Sequence, residues 1–169
     1  MKRSRNGLAS REPRDVATNR EEMSDGAVLI ADGPFAGWMT WPDTDPFETL
    51  VGPYYFRPLA EGGYECATVL QPRHHNGHGV AHGGALMTFA DFALFALSRD
   101  HLKGEPAVTA SFNGEFIGPA KAGDTVICRG EVLRAGKSLV FTRGLLSVAG
   151  EPVFAFSGVI KRLPPRRAA

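Results

Sequence analysis

Residues 75–91 read HNGHGVAHGGALMTFAD, and they hold the groups of this chain best suited to chemistry. His82, Gly83 and Gly84 stand directly before an apolar stretch, and Asp91 interrupts that stretch nine residues after the histidine. The first N–H groups of a helix lack internal partners and carry partial positive charge. Gly83 and Gly84 have no side chains, so a ligand oxygen can come close to those N–H groups. Such a start is a natural cradle for a carbonyl oxygen that becomes negative. A carboxylate facing the cradle can activate water or attack as a nucleophile. Together these groups describe hydrolysis of an activated acyl group.

Helix geometry sets a condition on that chemistry. Nine residues span roughly 13 Å along a helix and end on its opposite side. His82-Gly83 and Asp91 of one chain therefore cannot grip the same small group. Either Asp91 is structural and hydrogen-bonded to a neighbouring strand, or two chains pair with antiparallel helices and each Asp91 faces its partner's helix start. The glycines taken alone also fit a tight turn.

The elements that must position these groups are legible from pattern. The spacing predicts one long helix over residues 82–102. Leu86, Phe89, Ala90, Ala93, Leu94, Ala96 and Leu97 cover most of its circumference, as expected of a buried helix. Lys103-Gly104 and Pro106 mark its end. Before it, residues 54–57 and 64–70 read as strands. After it, residues 107–117, 125–133, 138–148 and 153–162 read as four more, separated by the turn clusters GPAKAGD, RAGK and AGEP. Segregated helix and strands argue for an α+β fold, a curved antiparallel sheet wrapped around one long central helix. The edge strand of such a sheet invites pairing with a second copy.

Four segments follow. Residues 1–22 are polar and charged with no hydrophobic period, and are expected to be a disordered tail. Residues 23–53 form an extension. Its aromatic groups Phe35, Trp38 and Trp41 are too apolar for a free linker, and Asp45, Pro46 and Glu48 have the spacing of a helix start with a capping box. Residues 54–163 form the main domain, and residues 164–169 a short tail.

Composition removes other classes. Of 169 residues, 43% are hydrophobic and 22% charged; mean hydropathy is −0.13 and net charge +1, which gives no reason to expect a nucleic-acid partner. The basic N-terminus is followed by no apolar signal core. The longest apolar run, residues 83–98, is interrupted by Asp91 and short for a membrane span. A cytoplasmic location without membrane association is expected. Cys66 and Cys128 lie in unrelated segments and read as small buried hydrophobes. His74, His75, His78 and His82 suggest a metal set, but the glycines among them make a poor helix and no HExxH occurs, so no metal is expected. No GxSxG elbow occurs, which argues against a serine hydrolase.

The stretch NGHGVAHGGALMTFAD resembles the signature of hotdog-fold acyl-CoA thioesterases of the phenylacetate-pathway, PaaI-like, family: asparagine, HGG six residues later, and aspartate nine after the histidine. Asn76, His82, Gly83 and Asp91 match all four positions. The resemblance covers about residues 54–163 and implies a hotdog fold. It implies that the Gly83 N–H polarises a thioester carbonyl and that Asn76 and His82 shape the loop. It makes Asp91 of the partner subunit the base or nucleophile, with Thr109 helping it place water. Gly84, Phe116, Arg134, Gly136, Lys137 and Ser138 would contact the acyl-CoA substrate, Arg134 and Lys137 by charge. Coenzyme A is then part of the substrate and no cofactor is needed. The partner is a second copy, in a dimer or a dimer of dimers with the site at the interface. Two alternatives stay open: a hotdog 3-hydroxyacyl-thioester dehydratase using His82 as base, and a non-catalytic acyl-CoA-binding protein. The extension with Trp38 and Trp41 departs from the family pattern and is a candidate cap on the acyl pocket.

Overall fold

The computed structural model of the chain describes residues 23–42 and 45–164; the expected disordered tail and nearly all of the C-terminal tail lie outside them. The elements run β1 (Val28–Leu29), β2 (Met39–Thr40), α1 (Pro46–Val51), β3 (Tyr55–Pro58), β4 (Tyr64–Val69), α2 (Gly83–Leu97), α3 (Arg99–Leu102), β5 (Ala107–Phe116), β6 (Thr125–Ala135), β7 (Leu139–Val148) and β8 (Glu151–Arg162). The strands form one antiparallel sheet in the order β1-β2-β3-β4-β6-β7-β8-β5. The central helix α2 packs across β4, β6, β7 and β8. This is the hotdog arrangement.

Helix α2 starts where His82 caps it, its Nδ1 accepting the Gly84 N–H at 2.9 Å. Leu86, Phe89, Ala90, Phe92, Ala93, Leu94, Ala96 and Leu97 are buried, and the helix presses close to the sheet at Gly158, where an added Cβ would fall 2.4 Å from Leu94 Cδ1. Burial is not complete around the circumference. Gly84 and Met87 are exposed, and Thr88, Asp91 and Phe95 half-buried, so one stripe at helical spacing is left uncovered.

The predicted single helix breaks at Ser98, whose φ of −95° and ψ of 4° leave the α region. The Ser98 hydroxyl bonds Thr142 Oγ1 at 2.7 Å, with both residues buried, so the core itself satisfies this polar group. A further turn, α3, then ends with Lys103 in the left-handed conformation before Gly104.

The extension joins the sheet, adding β1 and β2 beside β3. Trp38 and Trp41 flank β2 and pack in different places. Trp38 packs against Phe35 and Ala67, under the Arg57 guanidinium at 4.4 Å. Trp41 turns inward and stacks on Phe56 with ring centroids 4.3 Å apart. Asp25 and Arg99 tie the extension to α3 through a 3.0 Å contact, and that guanidinium holds the Asp25 carboxyl below the usual range. Cys66 and Cys128 are buried as expected, and β4–β6 pairing sets them directly opposite each other. Burial pushes the Cys66 thiol up.

Candidate active site

The loop before α2 is built from backbone hydrogen bonds accepted by side chains. His74 is buried; its Nδ1 accepts the Gln71 N–H at 3.0 Å, so its Nε2 donates to the Val51 carbonyl at 2.7 Å. Burial holds the His74 imidazole below its ordinary range. His75 Nε2 accepts the Ala122 N–H at 2.6 Å. Asn76 Oδ1 accepts the His78 N–H at 2.8 Å, and the Asn76 N–H closes the turn by donating to the Val80 carbonyl at 2.8 Å. Gly79 in that turn has φ +76°, a conformation that favours glycine. The His82 N–H donates to the His74 carbonyl and that of Ala81 to Ala120, each at 2.7 Å. Asn76 and His82 therefore occupy the loop as its hydrogen-bonding frame. Three histidine rings are engaged by backbone groups, and no cluster of three metal-ligating side chains occurs among the described residues.

Gly83 is the first residue of α2, where an N–H has no intrahelical partner. No acceptor for it is found among the described residues. The Phe116 ring lies against its Cα: a Cβ there would meet Phe116 Cζ at 2.8 Å. Phe116, at the end of β5, is 58% exposed and packs on Phe154 at 4.8 Å. Phe116, which the family resemblance offers as a substrate contact, thus stands beside the glycine.

Asp91 lies eight residues further along α2, about 12 Å away. Thr109 Oγ1 donates to Asp91 Oδ1 at 2.7 Å. Thr109 stands beside a register shift in the β5–β8 ladder, between Thr109 and Ser111, a device that re-aims side chains near sites. Asp91 and Thr109 open on a cavity of about 490 Å³ whose apolar wall includes Trp41, Phe92, Phe95 and Val108. Gly83 does not line this cavity, so one protomer keeps the amide and the carboxylate apart. Thr109→Val is expected to keep the fold and lower kcat about tenfold, as loss of a charge-assisted bond that fixes the Asp91 rotamer; steady-state kinetics beside an unchanged melting curve checks this.

Arg134, Gly136, Lys137 and Ser138 lie at the β6–β7 turn, closed by a 2.8 Å bond from the Gly136 N–H to the Leu139 carbonyl. Register fixes their neighbourhood. Val140 pairs with Ile160 and Ile160 with Thr109, so the turn sits at the Asp91 end of the sheet. Phe116 pairs with Phe154 at the other end, beside Gly83.

The sequence marks Glu48 only as half of a capping box. Asp45 does cap α1, accepting the Phe47 and Glu48 N–H groups at 2.8 and 3.0 Å. The Glu48 side chain instead lines the Asp91 cavity. Its carboxyl is pushed up to about 7, by burial first and then by repulsion from Asp45 and Asp91. Between its ordinary value of 4.5 and about 7, the folded chain holds a proton that the unfolded chain releases. Stability therefore falls as pH rises through that window and levels off above it. Glu48→Gln is expected to raise Tm on the alkaline side of the window and not on the acid side. The scale is about 2–4 °C per kcal/mol recovered, and thermal melts across the pH range check it. No sequence signal marks the cavity role of this residue, because its partner there is distant in the chain.

Comparison with known proteins agrees with the geometry. Residues 78–154 match the profile of the Thioesterase superfamily. A protein of Pseudomonas aeruginosa that bears an esterase name is 30% identical over 122 residues, covering 72% of this chain and 90% of its own length. Human acyl-coenzyme A thioesterase 13 is 32% identical over 100 residues, covering 57% of this chain and 69% of its own. Among solved structures, a point mutant of the phenylacetic acid degradation protein PaaI from Thermus thermophilus superposes with a TM-score of 0.61 at 31% identity, covering 70% of this chain and 100% of that one. With the sheet wrapped on α2, the HGG helix start and these relatives in hand, the chain belongs to the thioesterase superfamily, among its hotdog members of the PaaI-like kind.

Proposed function

We propose that this protein hydrolyses acyl-CoA thioesters at a site that two copies build between them. The observation that carries this reading is the setting of Asp91: held by Thr109, half-buried at a cavity with one apolar wall, and on the one stripe of α2 that the sheet leaves bare. The human relative's thioesterase name supports the same reaction class.

The pairing follows from surfaces the protomer leaves open. β5 ends the sheet, with β8 on one side and no strand on the other among the described residues. Along it and beside it Val108, Phe116, Ile117 and Met87 are 44%, 58%, 55% and 42% exposed. A two-fold pairing across such an edge covers these groups and satisfies the strand's free backbone. With α2 helices antiparallel, the carboxylate of one copy approaches the Gly83 N–H of the other.

In that site the thioester carbonyl accepts a hydrogen bond from the Gly83 N–H of one protomer. Asp91 of the other, oriented by Thr109, either takes a proton from an attacking water or attacks the carbonyl carbon itself. Negative charge collects on the carbonyl oxygen beside the amide, where a preorganised donor acts most strongly. The carbon–sulfur bond then breaks. In the direct route water's oxygen ends on the acid. In the anhydride route water opens the anhydride at the Asp91 carbonyl, its oxygen stays on Asp91 and the acid leaves with an Asp91 oxygen. In both the proton ends on the coenzyme A thiol. The scheme uses no metal or redox cofactor. Arg134 and Lys137, with Gly136 and Ser138 at the same turn, are the cations we assign to the coenzyme A phosphates. The His82 ring spends its Nδ1 lone pair on Gly84, which leaves the neutral ring's Nε2 protonated and unsuited to act as a dehydratase base.

The test is thiol release from a panel of aryl-, short- and long-chain acyl-CoAs, with Asp91→Asn alongside. Release that Asp91→Asn abolishes supports the proposal. Tight coenzyme A binding without release from any member, or water loss from 3-hydroxyacyl-CoA that depends on His82, overturns it.

A further inference from the structure

The Asp91 cavity stops at a wall, and that wall has a second cavity behind it. A space of about 250 Å³ lies between the extension, α1 and the start of β3. It shares Trp41, Phe92 and Glu48 with the 490 Å³ cavity of Asp91 and Thr109. These three side chains form the partition. Trp41 meets the Phe92 ring edge-on at 5.4 Å and is fixed from behind by its stack on Phe56 at 4.3 Å. Trp38 takes no part, because it packs in the separate cluster of Phe35 and Ala67.

We propose that Trp41, carried on the N-terminal extension, is the end stop of the acyl pocket and fixes the longest acyl group the enzyme takes. This rests on the Asp91 cavity receiving the acyl group, as proposed above. The lining of the far space is mostly apolar, with Tyr54, Phe92, Pro42 and Pro53 beside Thr40, Thr49 and Arg73, so a methylene chain is the chemistry it suits once the stop is gone. The Asp91 cavity alone, at about 490 Å³, is within the range that holds a compact ligand. Aryl and short-to-medium apolar acyl groups are therefore the expected substrates, and long chains are expected to be refused.

The experiment measures kcat/KM along a series from acetyl- to palmitoyl-CoA for the wild type and for Trp41→Phe, Trp41→Leu and Trp41→Ala. Trp41→Phe keeps an aromatic stack on Phe56 and stands as the variant surest to fold; melting curves identify which of the others remain native. The expected result is a graded move of the optimum towards longer chains as the side chain shrinks. Each methylene that enters the opened space should raise kcat/KM about fourfold, the equivalent of ~0.8 kcal/mol per buried methylene. Phe92→Leu, which thins the same wall from α2, should move the optimum in the same direction. An unchanged chain-length profile in folded variants overturns the end-stop assignment while leaving thioester hydrolysis intact. Absence of thiol release by the wild type itself overturns the underlying reading instead.

Discussion

Asp91→Asn is expected to lower kcat for acyl-CoA hydrolysis by about 10²–10⁴-fold, the range for loss of a positioned acid–base group. KM should change little, because the substitution removes an interaction made in the transition state and not a ground-state contact. The fold should survive. The asparagine is isosteric, its Oδ1 can still accept from Thr109 Oγ1, and the residue is only half-buried. Circular dichroism and thermal melting separate this outcome from misfolding. The loss is expected whether Asp91 activates water or forms an anhydride. Oxygen-18 followed through a single turnover of the wild type distinguishes those routes, since only an anhydride carries the label into the protein.

Gly83→Pro is expected to cost about 10²–10³ in kcat, the usual effect of deleting one oxyanion donor. Proline removes the amide hydrogen proposed to meet the carbonyl oxygen. It does so at the first helical position, where proline is well tolerated because no intrahelical bond is lost. The residue before it already has a compatible backbone: His82 sits at φ −64°, ψ 135°, in the extended region that precedes proline without strain. The added Cβ meets only Phe116, an exposed side chain that can swing aside. The variant should thus fold, bind coenzyme A and fail in chemistry. Gly83→Ala, which keeps the N–H, should retain far more activity. Equal losses in the two variants would show that bulk at this position, and not the hydrogen bond, is what matters.

The features legible in sequence are those written by local chemistry. The HGG start announces a helix terminus with exposed amides, and α2 begins there. The six main strands show as alternation between turn clusters, and each is present within a few residues. Features set by long-range partners are not legible. The break at Ser98 depends on Thr142, and the opposition of Cys66 and Cys128 on β4–β6 register. β1 and β2 are two residues each, too short for any periodic signal. Trp38 and Trp41 are equivalent as candidate caps in the sequence, and only their partners in the fold separate them. Glu48 carries a legible local role, and its cavity role overrides half of it. Family likeness, not spacing, pairs Asp91 with Thr109, and the bulge in β5 beside Thr109 is where the fold makes that contact.

The shared site is tested most directly by mixing two inactive proteins. Asp91→Asn and Gly83→Pro are each expected to be nearly inactive as homo-oligomers. Unfolded and refolded together, they form hybrids in which one composite site joins an intact Asp91 to an intact Gly83. Activity should return to about one quarter of wild type under random pairing across a two-fold interface. Recovery at that level is the result the shared site predicts. A mixture as inactive as its parents, with hybrids demonstrated to form, would mean that each protomer works alone and that the carboxylate and the amide never meet.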